Sequence, residues 1–334
     1  MTRKIQHKQF SAARNNKKDE FYSQLSDIER ELKHYKSHFK DKVVYCNCDD
    51  PRVSNFFHYF SYNFEHLKLK KLIATCYKNQ DVDLFSTNES EQAVYLEYTG
   101  DKNGNKVPDA NEIGVIPLKG DGDFRSQESI ELLKQADIVV TNPPFSLFRE
   151  YVAQLVEYDK KFLIIGNINA ISYKEIFKLI KENKAWLGVN MGRGISGFIV
   201  PKHYELYGSE ARIDENGNRI ISTNNCLWLT NLDIDKRYID LILHKKYNPE
   251  EYVKYENYDA INVDKTKDIP FDYAGEMGVP ITFLDKYNPN QFEIIDINPH
   301  FFSIVEKGLP KPSQLKISGK KDPYARILIK NKKL

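Results

Sequence analysis

Apolar residues along the chain follow two alternating spacings, one typical of helices and one typical of strands. Residues 19–39 place Leu25, Ile28, Leu32 and Phe39 three, four or seven positions apart, which predicts an amphipathic helix. Short β-branched runs predict strands at "KVVYCNC", "KKLIATCY", "DIVV" and "KFLIIGNI", with helical patterns between them. This alternation indicates an α/β fold with an open, mostly parallel sheet and helices on both faces.

Two stretches depart from the alternation. A polar segment near residues 80–112 contains Asn103-Gly104, a hairpin turn signal, and predicts a local β-insertion. From about residue 185 the helical spacing fades, and strand-like runs, aromatic residues and a second turn signal at Asn216-Gly217 take over. We therefore expect residues 185–334 to form a second region.

The strand "DIVV" ends in the tetrapeptide Asn142-Pro143-Pro144-Phe145. Two prolines fix two φ angles and remove two backbone donors, so neither a strand nor a helix continues through them. Ligands gather at the carboxyl ends of strands in open parallel sheets. The amide oxygen of Asn142 and the carbonyls of Asn142 and Pro143 are acceptors that suit a planar amino group.

The chemistry of such an amino group indicates what the tetrapeptide does. Two acceptors on the hydrogens of an exocyclic amine localise its lone pair for attack on an electrophilic methyl group, so positioning and polarity supply the catalysis. The ring of Phe145 offers a face for a flipped base, worth roughly 1 to 3 kcal/mol. A plain proline turn after a strand is the structural alternative. The tetrapeptide predicts methylation of an amino group on a planar ring or amide.

The composition of the chain indicates a folded protein with a buried core and an expected cellular compartment. With 334 residues, of which 41% are hydrophobic, the chain can bury a substantial core. It has no long uncharged apolar run and its first residues lack the centre of a signal peptide, so we expect a cytoplasmic protein. The four cysteines are too few for a disulfide scaffold and lack zinc-site spacing, so we expect reduced thiols and no metal.

Charge is segregated although the net charge is only +2. Residues 1–18 hold six Lys or Arg and no acid, and residues 305–334 hold nine basic groups against two acids. Basic ends on an acidic body suggest phosphate contacts, with Arg14, Lys17 and Lys18 as candidates in the N-terminal arm. Solvated, frayed termini explain the same pattern, and charge alone does not decide between them.

Six segments carry a family resemblance: "DEFYSQ", "VVYCNCDDPRVSNFF", "GDGDFRS", "DIVVTNPPFSLFREY", "GRGISGFIVPKHYELYG" and "NNCLWLTNL". They resemble the EcoRI-type DNA adenine-N6 methyltransferases over nearly the whole chain. The resemblance implies a class I S-adenosylmethionine-dependent methyltransferase fold, which is Rossmann-like, with S-adenosyl-L-methionine as methyl donor. It implies double-stranded DNA as substrate, a flipped adenine within GAATTC as target, and Asn142, Pro143, Pro144 and Phe145 as the catalytic motif.

The resemblance also implies a cofactor site, and here the sequence departs from most class I methyltransferases. The expected cofactor-binding residues are Asp19, Glu20, Phe21, Tyr22, Cys46, Asp49, Asp50, Pro51, Asp121, Asp123 and Phe124. No glycine-rich turn follows the first strand, and the second strand runs into Cys76 and Tyr77 instead of an acidic residue. Asp49 or Asp50 either binds the cofactor's amino group or caps the next helix.

Domain organisation and partners follow from the same comparison. We expect a basic arm at residues 1–18, a catalytic domain at 19–184 and a target-recognition region with a basic end at 185–334. The expected DNA-binding residues are Arg14, Lys17, Lys18, Arg193, Lys202, His203, Asn224 and Asn225. Arginine fits guanine and asparagine fits adenine in the major groove by bidentate hydrogen bonding. For any single one of these residues, the sequence favours the alternative of a loop residue on phosphate or in solvent.

Other expectations concern assembly and rival functions. The enzyme is expected to act as a monomer away from membranes, and a cognate restriction endonuclease would share its DNA site without a stable complex. Two rivals remain open at this point. One is the same chemistry on RNA or on a protein glutamine, and the other is a non-catalytic DNA-binding protein on the same scaffold.

Overall fold

The computed structural model describes residues 22–48, 54–75, 93–105, 107–109, 112–191, 194–200, 206, 211–221, 225–311, 314–318 and 325–334. The chain divides into two compact units, one formed by Met1–Ala170 with Gly188–Leu232 and the other by Ile171–Leu187 with Asp233–Leu334. None of the helices in these described ranges is long and apolar enough to cross a membrane.

The elements are named in chain order. The helices are α1 (Leu25–Leu32), α2 (Asn55–Tyr62), α3 (Phe64–Leu67), α4 (Gln127–Gln135), α5 (Phe148–Glu157), α6 (Lys174–Lys181) and α7 (Phe302–Glu306). The strands are β1 (Tyr22–Ser23), β2 (Val43–Cys46), β3 (Lys71–Thr75), β4 (Val94–Tyr98), β5 (Gly114–Pro117), β6 (Ile138–Thr141), β7 (Lys161–Asn167), β8 (Trp186–Leu187), β9 (Phe198–Val200), β10 (Arg212–Ile213), β11 (Arg219–Ile221), β12 (Cys226–Thr230), β13 (Ala260–Asn262), β14 (Glu276–Pro280), β15 (Phe292–Asn298) and β16 (Arg326–Asn331).

The main sheet of the first unit mixes parallel and antiparallel strands. Seven of its strands lie in the order β5-β4-β3-β2-β6-β7-β12. The central four, β3, β2, β6 and β7, are parallel, whereas β4, β5 and β12 pair antiparallel with their neighbours. The α/β class is as the sequence predicted. Strands β4 and β5 follow β3 directly in strand order along the chain, so their antiparallel pairs need no crossover helix, whereas β12 pairs with β7 only after a long excursion.

Strand β2 lies at the centre of this sheet. All four of its residues are buried, as expected of a parallel strand covered on both faces. Its neighbours are β3, which comes next in the chain, and β6, which follows after a long excursion. The strand order therefore reverses at β2, and the carboxyl ends of β2 and β6 lie side by side.

A second sheet of the first unit has the order β1-β9-β11-β10, with all pairs antiparallel. Tyr22 of β1 pairs with Ile199 and Ser23 pairs with Phe198 of β9. The β10–β11 hairpin turns at Asn216-Gly217, where the sequence signal placed it, and Gly217 has a φ of 78°.

The second unit contains a four-stranded sheet in the order β13-β14-β16-β15. Strands β13 and β14 are parallel and the other two pairs are antiparallel. Strand β16 lies in the interior of this sheet, and Ile327, Leu328 and Ile329 are fully buried. The basic C-terminal end is thus not a free tail over Arg326–Asn331, because three consecutive buried apolar residues anchor it as a strand.

Candidate active site

The tetrapeptide begins directly after β6, and the backbone explains its shape. Asn142 is only 7% exposed, and Pro144 is extended with a φ of −55° and a ψ of 124°. The carbonyl of Pro144 accepts a hydrogen bond from the N–H of Leu147 (3.0 Å), which opens a short 3₁₀ turn before α5. The carbonyls of Asn142 and Pro143 precede that turn, at the carboxyl end of the sheet.

Asn47 ties the end of β2 to the end of β6. Its backbone carbonyl accepts a short hydrogen bond from the hydroxyl of Thr141, the last residue of β6. Its side-chain oxygen accepts a second short hydrogen bond from the hydroxyl of Tyr151 on α5. All three residues are buried, so these bonds fix the spacing between the two strand ends.

The turn "GDGDF" packs against the same helix. The ring of Phe124 meets the ring of Tyr151 edge-on, with centroids 5.0 Å apart at 72°. The carbonyl of Phe124 accepts a hydrogen bond from the side chain of Gln154 (3.0 Å). Burial raises the pKa of Tyr151 well above its ordinary value, so its hydroxyl stays protonated and keeps donating to Asn47.

The two acids of this turn have different surroundings. The guanidinium of Arg125 binds both oxygens of Asp123 (2.9 and 2.7 Å) and lowers the pKa of that carboxyl. Asp121 accepts the backbone N–H of Asp123 (3.0 Å) through one oxygen. Asp123 therefore organises the turn, and Asp121 is the acid better placed to bind another group.

Phe145 is linked to the end of the N-terminal motif. Its ring lies 6.2 Å from the ring of Phe198, at an interplanar angle of 71°. Phe198 pairs with Ser23 on β1, next to Tyr22. The carbonyl of Ser23 in turn accepts a hydrogen bond from the side chain of Asn55 (2.7 Å), at the start of α2. The structure thus brings Tyr22, Cys46, Asn142–Phe145 and Asp121–Phe124 to one region of the first unit.

Several predicted residues cannot be placed. Those outside the described residues are Arg14, Lys17, Lys18, Asp19, Glu20, Phe21, Asp49, Asp50, Pro51, Arg193, Lys202, His203 and Asn224. Asn225 is exposed, and its carbonyl accepts the N–H of Ile168 (2.6 Å). Cys46 is buried, with 4% exposed, so its thiol belongs to the interior of the sheet.

Two buried carboxylates on α1 bind the backbone on both sides of the sequence position of Arg193. Asp27 and Glu31 lie one helical turn apart and are at most 1% exposed. Glu31 accepts the backbone N–H groups of Val189 (2.6 Å) and Asn190 (3.0 Å), and Asp27 accepts that of Ser196 (2.7 Å). Both flanks of residues 191–195 are therefore fixed to one helix.

Sequence reasoning missed Asn47, Tyr151 and this pair of acids. Asn47 had a local signal, because it is the polar residue directly after a buried strand. Asp27 and Glu31 had none, since the spacing of charged residues on an amphipathic helix does not distinguish a buried acid from a solvated one.

Comparison with known proteins identifies the class. The model of the family described as "Adenine-specific methyltransferase EcoRI" matches residues 9–332. The chain therefore belongs to this family of adenine-specific methyltransferases and is an enzyme. The resemblance stated from the sequence is confirmed, and the non-catalytic rival is excluded at the level of the family.

Individual relatives agree with the family assignment. The chain is similar to "Type II methyltransferase M.EcoRI" of Escherichia coli, with 61% identity over 336 residues that cover 100% of this chain and 99% of the relative. It is also 38% identical to "Type II methyltransferase M.MgeORF184P" of Mycoplasma genitalium, over 97% of this chain and 99% of the relative. "Type II methyltransferase M.MpnI" of Mycoplasma pneumoniae is 39% identical, over 87% and 86%. No solved structure matches the chain significantly.

Proposed function

We propose that this adenine methyltransferase transfers a methyl group from S-adenosyl-L-methionine to N6 of an adenine in double-stranded DNA, within GAATTC. The observation that carries the proposal is the position of Asn142–Phe145 at the carboxyl end of β6, beside the carboxyl end of β2. GAATTC rests on the resemblance of the sequence segments to the EcoRI-type enzymes.

The strand order supports a class I methyltransferase arrangement. Ligands in open α/β sheets bind outside the carboxyl ends of the strands, where the strand order reverses. In this chain the reversal lies at β2, and Cys46, Asn47 and Asn142 stand at the strand ends beside it. The donor and the target base would meet at this place.

The residues present there fit the proposed donor. S-Adenosyl-L-methionine, when bound, supplies an electrophilic methyl group. The ring of Phe124 and the carboxylate of Asp121 suit an adenine with its amino group, and Tyr22 lies on the side expected for the methionine end. The hydrogen bonds from Thr141 and Tyr151 to Asn47 would form the floor of the donor site, the base that lies between the adenine end and the methionine end.

The tetrapeptide would act on the target base by orientation. The side-chain oxygen of Asn142 and the carbonyl of Pro143 accept the two N6 hydrogens, which turns the nitrogen lone pair toward the methyl group. Phe145 stacks on the adenine after it leaves the duplex. The edge-on contact with buried Phe198 holds the phenyl ring of Phe145 for that purpose.

DNA contacts are proposed for the arm at residues 1–18 and for the region 185–334. Asp27 and Glu31 bind backbone N–H groups at Val189 and Ser196, on either side of Arg193, and this supports Arg193 as a candidate reader of bases. The arm would bind phosphates through Arg14, Lys17 and Lys18. Methylation would protect the site from a nuclease of the same specificity, with the methyltransferase acting as a monomer.

The test uses the purified full chain, tritiated S-adenosyl-L-methionine and two duplexes of equal composition. One duplex contains GAATTC and the other contains GTTAAC in the same flanks. We expect label in N6-methyladenine of the first duplex at a rate at least about 100-fold above the second, because the four altered base pairs together cost several kcal/mol. Equal labelling of both, or label on cytosine, contradicts the proposal.

A further inference from the structure

The loop between β4 and β5 carries oxygen-bearing side chains at a spacing that methyl transfer does not use. Residues 101–112 read "DKNGNKVPDANE". The first, third, fifth, ninth and twelfth positions are Asp101, Asn103, Asn105, Asp109 and Glu112. This is the ligand spacing of calcium loops of the EF-hand type, in which the seventh position adds a backbone carbonyl. The glycine that such loops have at the sixth position is Lys106 here.

The first half of the loop winds around its own side-chain oxygens. Asp101 accepts the N–H of Gly104 (2.7 Å), Asn103 accepts that of Asn105 (2.9 Å), and Asn105 accepts that of Val107 (2.8 Å). Gly104 has a φ of 81°, which a tight turn of this kind requires. Three successive ligand-type oxygens are therefore directed at the loop's own backbone.

Glu112 supplies an independent observation. Its side chain is only 6% exposed, and Oε1 accepts the backbone N–H groups of Lys102 (2.7 Å) and Asn103 (3.1 Å). The carboxylate thus points into the loop. Its second oxygen, Oε2, is fully buried and has no hydrogen-bond partner among the residues that the structure describes. A buried carboxylate oxygen without a partner is costly, and a cation would satisfy it.

The remaining acids stand close by. Asp109 accepts a hydrogen bond from the side chain of Asn103 (2.7 Å), and its carbonyl accepts the N–H of Glu112 (3.1 Å). Burial, followed by the charges of Glu112 and Asp101, raises the pKa of Tyr98 to about 12. In the described part of the chain no three acidic, histidine or cysteine side chains are gathered to hold an ion by themselves. The site therefore also needs the side-chain oxygens of the asparagines, and the carboxylates must rotate slightly to reach the ion.

We propose that one divalent cation binds to the side-chain oxygens of Asp101, Asn103, Asn105, Asp109 and Glu112, with calcium preferred to magnesium. All the ligands are hard oxygens, and this number of oxygen ligands suits calcium, whereas magnesium demands near-ideal octahedral geometry. The ion would join the two ends of the loop and so fasten β5, whose four residues are all exposed, to β4. Its place is the edge of the main sheet, apart from the chemistry at β2 and β6.

The chain contains a matched comparison at Asp214. The hairpin between β10 and β11 has the same short pattern, "DENGN", at residues 214–218. There the carboxylate of Asp214 accepts the N–H groups of Asn216 (2.9 Å) and Asn218 (2.8 Å), and the pKa of Asp214 is lowered. The positions that correspond to Asp109 and Glu112 are Ser222 and Asn225. This hairpin should not bind a cation.

The test is calorimetric titration of the chelator-treated full chain with CaCl₂ and with MgCl₂. We expect one calcium ion per chain with a Kd on the order of 10⁻⁴ M, because two of the five side-chain ligands are neutral. Magnesium should bind at least about tenfold more weakly. Glu112→Gln keeps an acceptor for Lys102 and Asn103 but removes the charge, so calcium affinity should fall at least about tenfold.

Two further variants secure the result. Asp109→Asn should also weaken calcium at least about tenfold, and Asp214→Asn should leave it unchanged. Thermal unfolding without calcium shows whether each variant is folded. Calcium should raise the Tm of the wild type and of Asp214→Asn but not that of Glu112→Gln. The proposal is overturned if the wild type binds no calcium at 5 mM, which is about 50 times the expected Kd. It is also overturned if calcium binding survives Glu112→Gln and Asp109→Asn, or if it is lost in Asp214→Asn.

Discussion

Asn142 is buried at the carboxyl end of β6, and its side-chain oxygen is the acceptor on which the proposed mechanism most depends. Asn142→Ala should lower the rate of methyl transfer by at least about 10²- to 10³-fold, the usual loss when a directed polar group is removed from a reaction centre. DNA affinity in a mobility-shift assay should change little. Asn142→Asp keeps an acceptor oxygen and should retain measurable methyl transfer. A fully active Asn142→Ala variant would refute the assignment of Asn142 as the acceptor.

Phe145 has the proposed role of stacking on the extruded adenine. Phe145→Ala should weaken the stacking of the extruded base by roughly 1 to 3 kcal/mol. A fluorescent adenine analogue at the target position reports this, since its emission rises when the base leaves the duplex. We expect the variant to brighten the analogue less than the wild type does. Full brightening would remove Phe145 from the proposed role.

Tyr151 tests the connection between β2, α5 and the "GDGDF" turn. Tyr151→Phe deletes the hydroxyl that donates to Asn47 and should cost about 1 kcal/mol of stability. Tyr255→Phe is the matched control, because Tyr255 also donates a buried hydroxyl to an asparagine, Asn262, in the second unit. Both variants should lose similar stability in urea unfolding, but only Tyr151→Phe should weaken binding of S-adenosyl-L-methionine in calorimetry. Equal donor affinity in the two variants counts against the proposed floor of the site.

At the scale of elements, two buried acids on α1 bind the backbone at Val189, Asn190 and Ser196. Burial raises the pKa of Asp27 above its ordinary value of 3.8. Between 3.8 and that raised pKa the folded chain holds a proton that the unfolded chain has lost, so this group's contribution to stability falls as pH rises through the window. Asp27→Asn lacks this dependence.

We therefore expect the unfolding free energy of the wild type, minus that of Asp27→Asn, to decrease as pH rises from about 4 toward neutrality. Urea unfolding at a series of pH values measures the difference. A difference that increases with pH would mean that the hydrogen bonds from Ser196, which favour the charged form, outweigh burial.

The elements also show how far sequence reasoning reached. The strands containing Val43–Cys46 and Ile138–Thr141 and the corner after them were predictable, because hydrophobic runs and proline act locally. The antiparallel pairing of β12 with β7 and the grouping of residues 188–232 with the first unit were not. Such pairings depend on contacts between distant residues, and local patterns do not encode them.

The same limit applies to the candidate site. The tetrapeptide and "GDGDF" were visible as motifs, whereas the bonds that join them through Asn47 and Tyr151 cross about 100 residues of sequence. In the sequence the "DKNGNK" segment indicates only a hairpin turn. The buried Glu112, several residues further along, is what distinguishes it from the hairpin at Asp214.

For the whole molecule, charge segregation gives a prediction about DNA binding. Residues 2–18 contain six basic groups, and each phosphate contact adds about 0.9 to the slope of log affinity against log salt. Deleting residues 2–18 should flatten that slope by several units in fluorescence anisotropy. The control is deletion of the exposed, uncharged Leu334, which should leave the slope nearly unchanged. An arm whose deletion alters no slope makes no phosphate contact.

The most direct measurement is modified-base sequencing of plasmid DNA from cells that express the full chain or its Asn142→Ala variant. The account predicts N6-methyladenine at one defined site in the wild-type plasmid, within GAATTC, and none in the plasmid of the variant. Adenines left unmodified by the wild type, or the same modification made by Asn142→Ala, would contradict it.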